Sequence, residues 1–101
     1  MLVRNRIEFD EEQLAAICRR YHVRELALFG SVLREDFRDD SDIDVLVEFD
    51  DNARIGFFEM ARLQRELAAL FDREVDVVPK GGLNPIIRKP ILDAAVPLYA
   101  N

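Results

Sequence analysis

Hydrophobic residues recur at helical spacing in two long stretches of the chain. The first stretch follows Asp10, which can cap the amides of a first helical turn, and its apolar positions are Leu14, Ile17, Cys18 and Tyr21. The second runs from Phe57 to Phe71, and its apolar positions are Met60, Leu63, Leu67, Leu70 and Phe71. The spacing therefore predicts two amphipathic helices, each with one face turned to a core.

A third helix start is indicated near the C-terminal end of the chain. Asn84 is a capping residue and Pro85 follows it, where the missing proline amide costs nothing. Pro90 is expected to limit this helix to about one turn, or to begin a second piece over Ile91 to Ala95. The closing "VPLY" is predicted to be extended.

Short apolar runs predict the strands. "ELALF" is ended by Gly30, "EVDVVP" is ended by Pro79, and between them a strand begins at Ile43. In that strand the residues alternate, with Ile43, Val45, Val47 and Phe49 on one face and Asp42, Asp44, Leu46 and Glu48 on the other. Helices alternating with buried strands predict an α/β fold (α+β in some schemes), a small mixed sheet of three to four strands with helices packed on it. We expect a single domain over residues 1–101.

The composition excludes several functional classes. The net charge is −6, which argues against direct binding to nucleic acid. Cys18 is the single cysteine, which excludes an internal disulfide and a zinc cluster of thiolates, and its position on an apolar face predicts a core residue. No apolar run is long enough for a signal peptide or a membrane span, so we expect no membrane association and a cytoplasmic location.

Three aspartates stand at the predicted strands. Asp42 and Asp44 are two residues apart on an extended segment, so their side chains point the same way. Two such charges about 4 Å apart repel by about 4 kcal/mol at an effective dielectric constant of 20, so a cation, an arginine or full solvation must offset them. Asp76 interrupts the third strand, and it joins the pair if the two strands are neighbours. Carboxylate oxygens at one point favour Mg²⁺ or Mn²⁺.

The spacing of these acidic residues is also compatible with two other structures. A solvated acidic loop is the simplest one, since short aspartate-rich loops are common. A calcium loop of the EF-hand type has the right first spacing, but its sixth position is Val45 instead of glycine and its twelfth is Asp51 instead of glutamate.

The residues just before the aspartates favour binding of a phosphate. Gly30 ends a buried strand and Ser31 opens a predicted short helix, where free amides and the helix dipole attract an anion. Alone, a Gly-Ser pair is equally typical of an ordinary strand-to-helix turn. An anion cradle a short loop before a pair of metal ligands is much more specific.

These motifs resemble a known family. "LFGSVLREDFRDDSDIDVLVEF", in which ten residues separate "GS" from "DID", and the later "VDVV" are similar to the signature of the polymerase-beta-like nucleotidyltransferase superfamily, and within it of the minimal nucleotidyltransferases (MNT). The likeness extends over nearly the whole chain and implies the nucleotidyltransferase fold.

The resemblance also implies roles for individual residues. Asp42 and Asp44 would hold two Mg²⁺ ions, and Asp76 would complete the catalytic metal site and help to deprotonate the attacking hydroxyl. Gly30 and Ser31 would grip the β- and γ-phosphates of ATP, and Arg34 would steady a phosphate or the loop. One departure is Glu35, where relatives usually carry a small residue.

The acceptor is not specified by the sequence. MNT proteins resemble the antitoxin half of HEPN/MNT toxin–antitoxin pairs, which implies transfer of AMP from ATP to a tyrosine of a HEPN ribonuclease toxin. Two alternatives stay open. The chain could neutralise its partner by occlusion alone with a silent site, or it could modify a small molecule such as an aminoglycoside, for which no second domain is evident.

Overall fold

The computed structural model describes residues 2–4, 7–30 and 42–100. Six strands, three α-helices and one 3₁₀ helix (Lys80–Gly82) lie within these ranges. In chain order the strands and α-helices are β1 (Leu2–Arg4), β2 (Ile7–Phe9), α1 (Glu11–Arg20), β3 (Val23–Phe29), β4 (Ile43–Phe49), α2 (Phe57–Phe71), β5 (Val75–Pro79), α3 (Pro85–Ala94) and β6 (Val96–Ala100).

Four of the strands form a mixed sheet in the order β5-β4-β3-β6. β3 is antiparallel to β4 and to β6, whereas β4 and β5 are parallel and are joined through α2. Parallel strands need such a crossover, and it brings the first residues of β4 and β5 to the same edge of the sheet. The predicted mixed α/β fold is confirmed.

One face of this sheet is covered and forms the core. Ile43, Val45 and Val47 of β4 are almost fully buried, in one cluster with Leu63 and Leu67 of α2. On the same side, the rings of Phe9 and Phe71 meet edge to face with their centroids 5.5 Å apart. The alternation read from the sequence therefore selects the packed face of β4, as predicted.

The first helix begins as its sequence predicts. The Asp10 carboxylate accepts hydrogen bonds from the amides of Glu12 and Gln13 at 2.9 and 3.2 Å. Cys18 has no exposed surface, and this burial raises the pKa of its thiol to about 12. The interpretation of Cys18 as a core residue is confirmed, because a thiol held protonated is a poor nucleophile. His22 is exposed in the turn that follows.

The third helix differs from its prediction. α3 starts at the Asn84 cap, whose side chain accepts from the Ile86 amide at 2.9 Å, but it continues through Pro90 to Ala94 as one helix. The expectation of a stop or a second start at Pro90 was wrong. Proline removes one helical hydrogen bond and leaves the carbonyl four residues earlier without its donor. Residues 84–90 are all exposed, so water can reach that carbonyl.

The pairing of β1 with β2 was not predicted. These two strands are antiparallel, with Leu2 opposite Phe9. In β2 the pattern is buried, exposed, buried, which is the alternation expected of a half-buried strand, although three residues are too few to show it from sequence. None of the helices within the described ranges combines the length and the apolar character that a membrane crossing requires.

Candidate functional site

The starts of β4 and β5 bring two of the predicted aspartates side by side. In the parallel register Asp44 lies opposite Asp76, one step after the pairing of Ile43 with Val75. Opposed residues on neighbouring strands point to the same face, with the strands about 4.8 Å apart. Since Ile43 and Val75 are buried, the two aspartates point to the face not covered by α1 and α2, which we call the open face.

Gly30 lies directly against this pair. It follows the last residue of β3, Phe29, which is itself paired with Asp44. A Cβ atom placed on Gly30 would be only 2.5 Å from the Asp44 Oδ2 atom, and its φ of +74° is one that other residues rarely adopt. This position therefore favours glycine over other residues, and the Asp44 carboxylate lies close to the Gly30 backbone at the end of β3.

Asp42 is exposed and stands one residue before β4, at the same edge of the sheet. The next amide, that of Ile43, donates to the Glu74 carbonyl at 2.9 Å, which links the start of β4 to the residue before β5. Within residues 7–30 and 42–100, no group of three or more His, Cys, Asp or Glu side chains is arranged to hold a metal ion. The structure thus brings together Gly30, Asp44 and Asp76, with Asp42 beside them but not closed into a three-carboxylate cluster.

This donor set fits Mg²⁺. Magnesium is usually held by one or two carboxylates together with water and substrate phosphates, instead of by a complete protein cage. Asp44 and Asp76 supply such a pair on an accessible face, and Asp76 and Asp42 are exposed. The residues present therefore suit a metal that a bound triphosphate would help to hold.

Four of the features read from the sequence lie outside the described residues. Ser31 and Arg34, predicted to contact phosphate, and Glu35 fall in residues 31–41, as does the short helix predicted over residues 31–37. Their predicted roles stay predictions.

A second polar cluster, which the sequence interpretation missed, lies further along the open face. Glu25 of β3 and Glu48 of β4 are directly opposed, and the Lys80 ammonium lies 3.0 Å from a carboxylate oxygen of each. Its hydrogen bond to Glu48 is the main cause of a raised Lys80 pKa, with Glu25 adding to it and burial opposing it. Lys80 therefore joins three segments as a cation. The only signal for this cluster in the sequence was the position of Lys80 directly after the third predicted strand.

Two cavities open between described residues on this side and at the far end of the sheet. One of about 250 Å³ is lined by Glu48, Lys80, Gly81, Arg88 and Leu92, so it lies between the open face and α3. The larger, of about 530 Å³, is lined by His22, Arg24 and residues 50–54, at the opposite ends of β3 and β4 from Gly30 and Asp44. Cavity volume therefore does not identify the candidate site, because none of the predicted site residues lines the larger cavity.

Comparison with known proteins gives a match to a family over most of the chain. The model of the nucleotidyltransferase domain family matches residues 11–98. A protein adenylyltransferase from Methanocaldococcus jannaschii is 31% identical over 86 residues, which is 85% of this chain and 90% of that protein. Protein adenylyltransferase MntA of Thermococcus cleftensis is 36% identical over 77 residues, 76% of each chain.

Solved structures agree on the fold. A minimal nucleotidyltransferase structure superposes with a TM-score of 0.71 at 36% identity, covering 86% of this chain and 87% of that one. A toxin–antitoxin crystal structure with AMP-PNP gives 0.70 at 21% identity, covering 91% and 74%. A tri-AMPylated Shewanella oneidensis HEPN toxin in complex with its MNT antitoxin gives 0.63 at 20% identity, covering 90% and 70%. At these lower identities the likeness concerns the fold.

Proposed function

The chain belongs to the nucleotidyltransferase domain family, and we propose that it transfers AMP from ATP to a hydroxyl group of a partner protein. A single domain over residues 1–101 is part of this proposal. The observation that carries it is the parallel register that sets Asp44 beside Asp76, with the Asp44 carboxylate against the bare backbone of Gly30. Gly30, Asp44 and Asp76 are far apart in the sequence, and their proximity in the fold supports a role in one binding site.

The proposed binding roles are those that the sequence predicts, and the placement of Gly30, Asp44 and Asp76 supports them. Asp44 and Asp76, with Asp42 beside them, would hold Mg²⁺, or Mn²⁺, where β4 and β5 begin. Bound metal lowers the pKa of an acceptor hydroxyl and offsets the charge of the triphosphate. Gly30, together with Ser31 and Arg34 in the next segment, binds the phosphates, because a glycine at that point lets them approach the backbone.

The proposed reaction is an in-line displacement. The acceptor oxygen attacks the α-phosphorus of ATP, a new oxygen–phosphorus bond forms, and the bond from that phosphorus to the bridging oxygen breaks. Pyrophosphate carries away the bonding electrons, and the hydroxyl proton passes to the Asp76 carboxylate. Asp42 and Asp76 are exposed, which leaves access for both reactants where β4 and β5 begin.

The proposed acceptor is a tyrosine of a HEPN-domain toxin, which makes the chain an antitoxin. Two relatives that cover most of this chain carry the name protein adenylyltransferase, and the family fold is found in a complex of an MNT antitoxin with an AMPylated HEPN toxin.

Incubation with α-labelled ATP and Mg²⁺ tests the proposal. A HEPN-domain protein that carries an acceptor tyrosine should gain label with release of pyrophosphate, and Asp44→Asn should abolish the gain. Asp51→Asn is the matched control, because Asp51 is an exposed aspartate beyond the opposite end of β4. Binding without labelling would indicate neutralisation by occlusion, and labelling of an aminoglycoside instead of the protein would indicate a small-molecule enzyme. Either result overturns the proposal.

A further inference from the structure

The parallel pairing of β4 with β5 carries opposite electrostatics at its two ends. Where the strands begin, Asp44 lies opposite Asp76, and like charges in direct opposition destabilise a strand pair. Where they end, one step beyond the last pair of the register, the Lys80 ammonium lies 3.0 Å from a Glu48 carboxylate oxygen. Charge therefore pushes the strands apart at the candidate site and draws them together at the other end.

Lys80 also connects β5 to a third strand. In the described sheet β5 is an edge strand, with β4 as its strand neighbour. The Lys80 ammonium lies 3.0 Å from a carboxylate oxygen of Glu25, which stands opposite Glu48 on β3. The Lys80 side chain is 30% exposed and each glutamate side chain is 34% exposed, so solvent screens the two ion pairs only in part. One side chain thus ties the edge strand to both β4 and β3.

The strand that Lys80 ties down is the one that carries Asp76. Four positions separate the two residues, which is about 13 Å at about 3.3 Å per residue of extended chain, so Lys80 cannot touch a metal held by the aspartates. Burial of Val75 fixes the face to which Asp76 points, because a slip by one residue would expose Val75. Burial does not set the spacing between the carboxylates of Asp44 and Asp76 on the open face, and their repulsion widens that spacing until a cation is bound.

We propose that Lys80 is a positioning residue that holds β5 against β4, so that Asp44 and Asp76 are close enough to share a cation before one binds. Its ion pairs with Glu25 and Glu48 oppose the repulsion at the other end of the strand pair. Ligands that are already in place bind a metal more tightly, because no binding energy is used to bring them together. The inference rests on the proposed function, since the metal ligands that Lys80 positions are the ones proposed above.

A titration with Mn²⁺ alone, without nucleotide, tests the proposal when it is followed by the electron paramagnetic resonance of the free ion. Lys80→Ala should bind Mn²⁺ about tenfold more weakly, the low end of the range for residues that orient metal ligands, and Lys80→Arg should recover most of that affinity. The effect of charge alone has the opposite sign, because removing a cation near a metal site strengthens the binding of Mn²⁺. Asp44→Asn identifies the binding that belongs to this site.

Hydrogen exchange of the metal-free chain gives a second readout. The Ile43 amide donates to the Glu74 carbonyl at 2.9 Å and so joins the starts of β4 and β5. Its exchange in Lys80→Ala should be up to about fivefold faster, which is the effect of losing one pair of opposite charges across strands. In an Asp44→Asn background the same change should accelerate exchange less, because the repulsion that Lys80 opposes is already gone.

Two control variants separate positioning from charge and from stability. Lys89→Ala removes the same charge from an exposed pair with Asp93 on α3, and it should bind Mn²⁺ within about twofold of the wild type. The double variant Lys80→Ala with Glu25→Gln relieves the repulsion between Glu25 and Glu48, so part of the lost Tm should return. Its Mn²⁺ affinity should stay weak, because the ion pair between β5 and β4 is still missing.

Four results would overturn the positioning role. They are wild-type or tighter Mn²⁺ binding by Lys80→Ala, an equal loss in Lys89→Ala, recovery of the Mn²⁺ affinity together with the Tm in the double variant, which would make Lys80 a stabilising residue only, and no Mn²⁺ binding by the wild type. A wild-type chain whose Mn²⁺ binding depends on Lys80 but which transfers no AMP would refute the proposed function and leave the positioning role standing.

Discussion

Replacing Gly30 by alanine is the substitution whose consequences the structure defines best. The new Cβ would lie 2.5 Å from the Asp44 Oδ2 atom, whereas ordinary contacts begin at 3.4 Å, so the carboxylate must retreat by about 0.9 Å. The atom in the way is the end of a side chain, so rotation of Asp44 relieves most of the clash. Stability and activity should therefore respond very differently.

The stability loss should come mainly from the backbone. An alanine at a φ of +74° costs about 1–2 kcal/mol, and the stiffer unfolded chain offsets about 0.4–1 kcal/mol of that. The net loss is about 1 kcal/mol, or a fall in Tm of about 4–8 °C for a domain of this size. A displacement of catalytic groups by about 1 Å can cost about a hundredfold in rate, so AMP transfer should fall by about that factor.

Thermal unfolding and initial rates of AMP transfer measure the two effects. Gly81→Ala is the matched control, because no atom of the described residues, its chain neighbours aside, lies within 4 Å of its added Cβ, and both quantities should stay near the wild-type values. In an Asp44→Ala background the Tm loss from Gly30→Ala should shrink only slightly, since the strain remains after the carboxylate is gone. Wild-type Tm and rate in Gly30→Ala would refute the close approach of Gly30 to Asp44.

Three further predictions concern other parts of the chain. Asp44→Asn should abolish AMP transfer while the Tm stays equal or rises, because one of two adjacent like charges is removed, and a wild-type rate would contradict its role. The Cys18 thiol has a pKa of about 12 in the folded chain against 9.0 in the unfolded chain, so the free energy of unfolding should fall as the pH rises above 9. Urea unfolding at pH 7 and pH 10 should show a loss of about 1.4 kcal/mol, and Cys18→Ala should lack this loss. Lys80→Ala should lower stability by about 1 kcal/mol because Glu25 then faces Glu48 without a cation, and a second change, Glu25→Gln, should recover part of it in thermal unfolding.

Local patterns predicted most of the elements. The helix from Phe57 to Phe71 has the bounds predicted from its apolar repeat, and the capping role of Asp10 is confirmed. The supposition that the strands of Asp44 and Asp76 are neighbours is confirmed by their register. The helix and its cap were recognisable from a few neighbouring residues, and the two strands from a motif shared with the nucleotidyltransferase family.

Features that depend on distant contacts were not predicted. The sequence does not say that β6 pairs with β3, because nothing in "VPLY" identifies its partner among the strands. The ion pairs of Lys80 join residues 32 and 55 positions apart, and side-chain spacing carries no information over such separations. The continuation of α3 through Pro90 depends on its exposure, which is set by the whole fold.

The alternation along β4 separates two kinds of selection. The inward side chains of β4 pack in the core, and these are Ile43, Val45 and Val47. Asp44 and Glu48 point to the open face, so adjacent positions are constrained by packing and by function in turn. A lineage could acquire a new acceptor by altering outward residues other than the catalytic aspartates, while the inward ones go on holding the sheet together. Such a scaffold can diversify in specificity without losing the ability to fold.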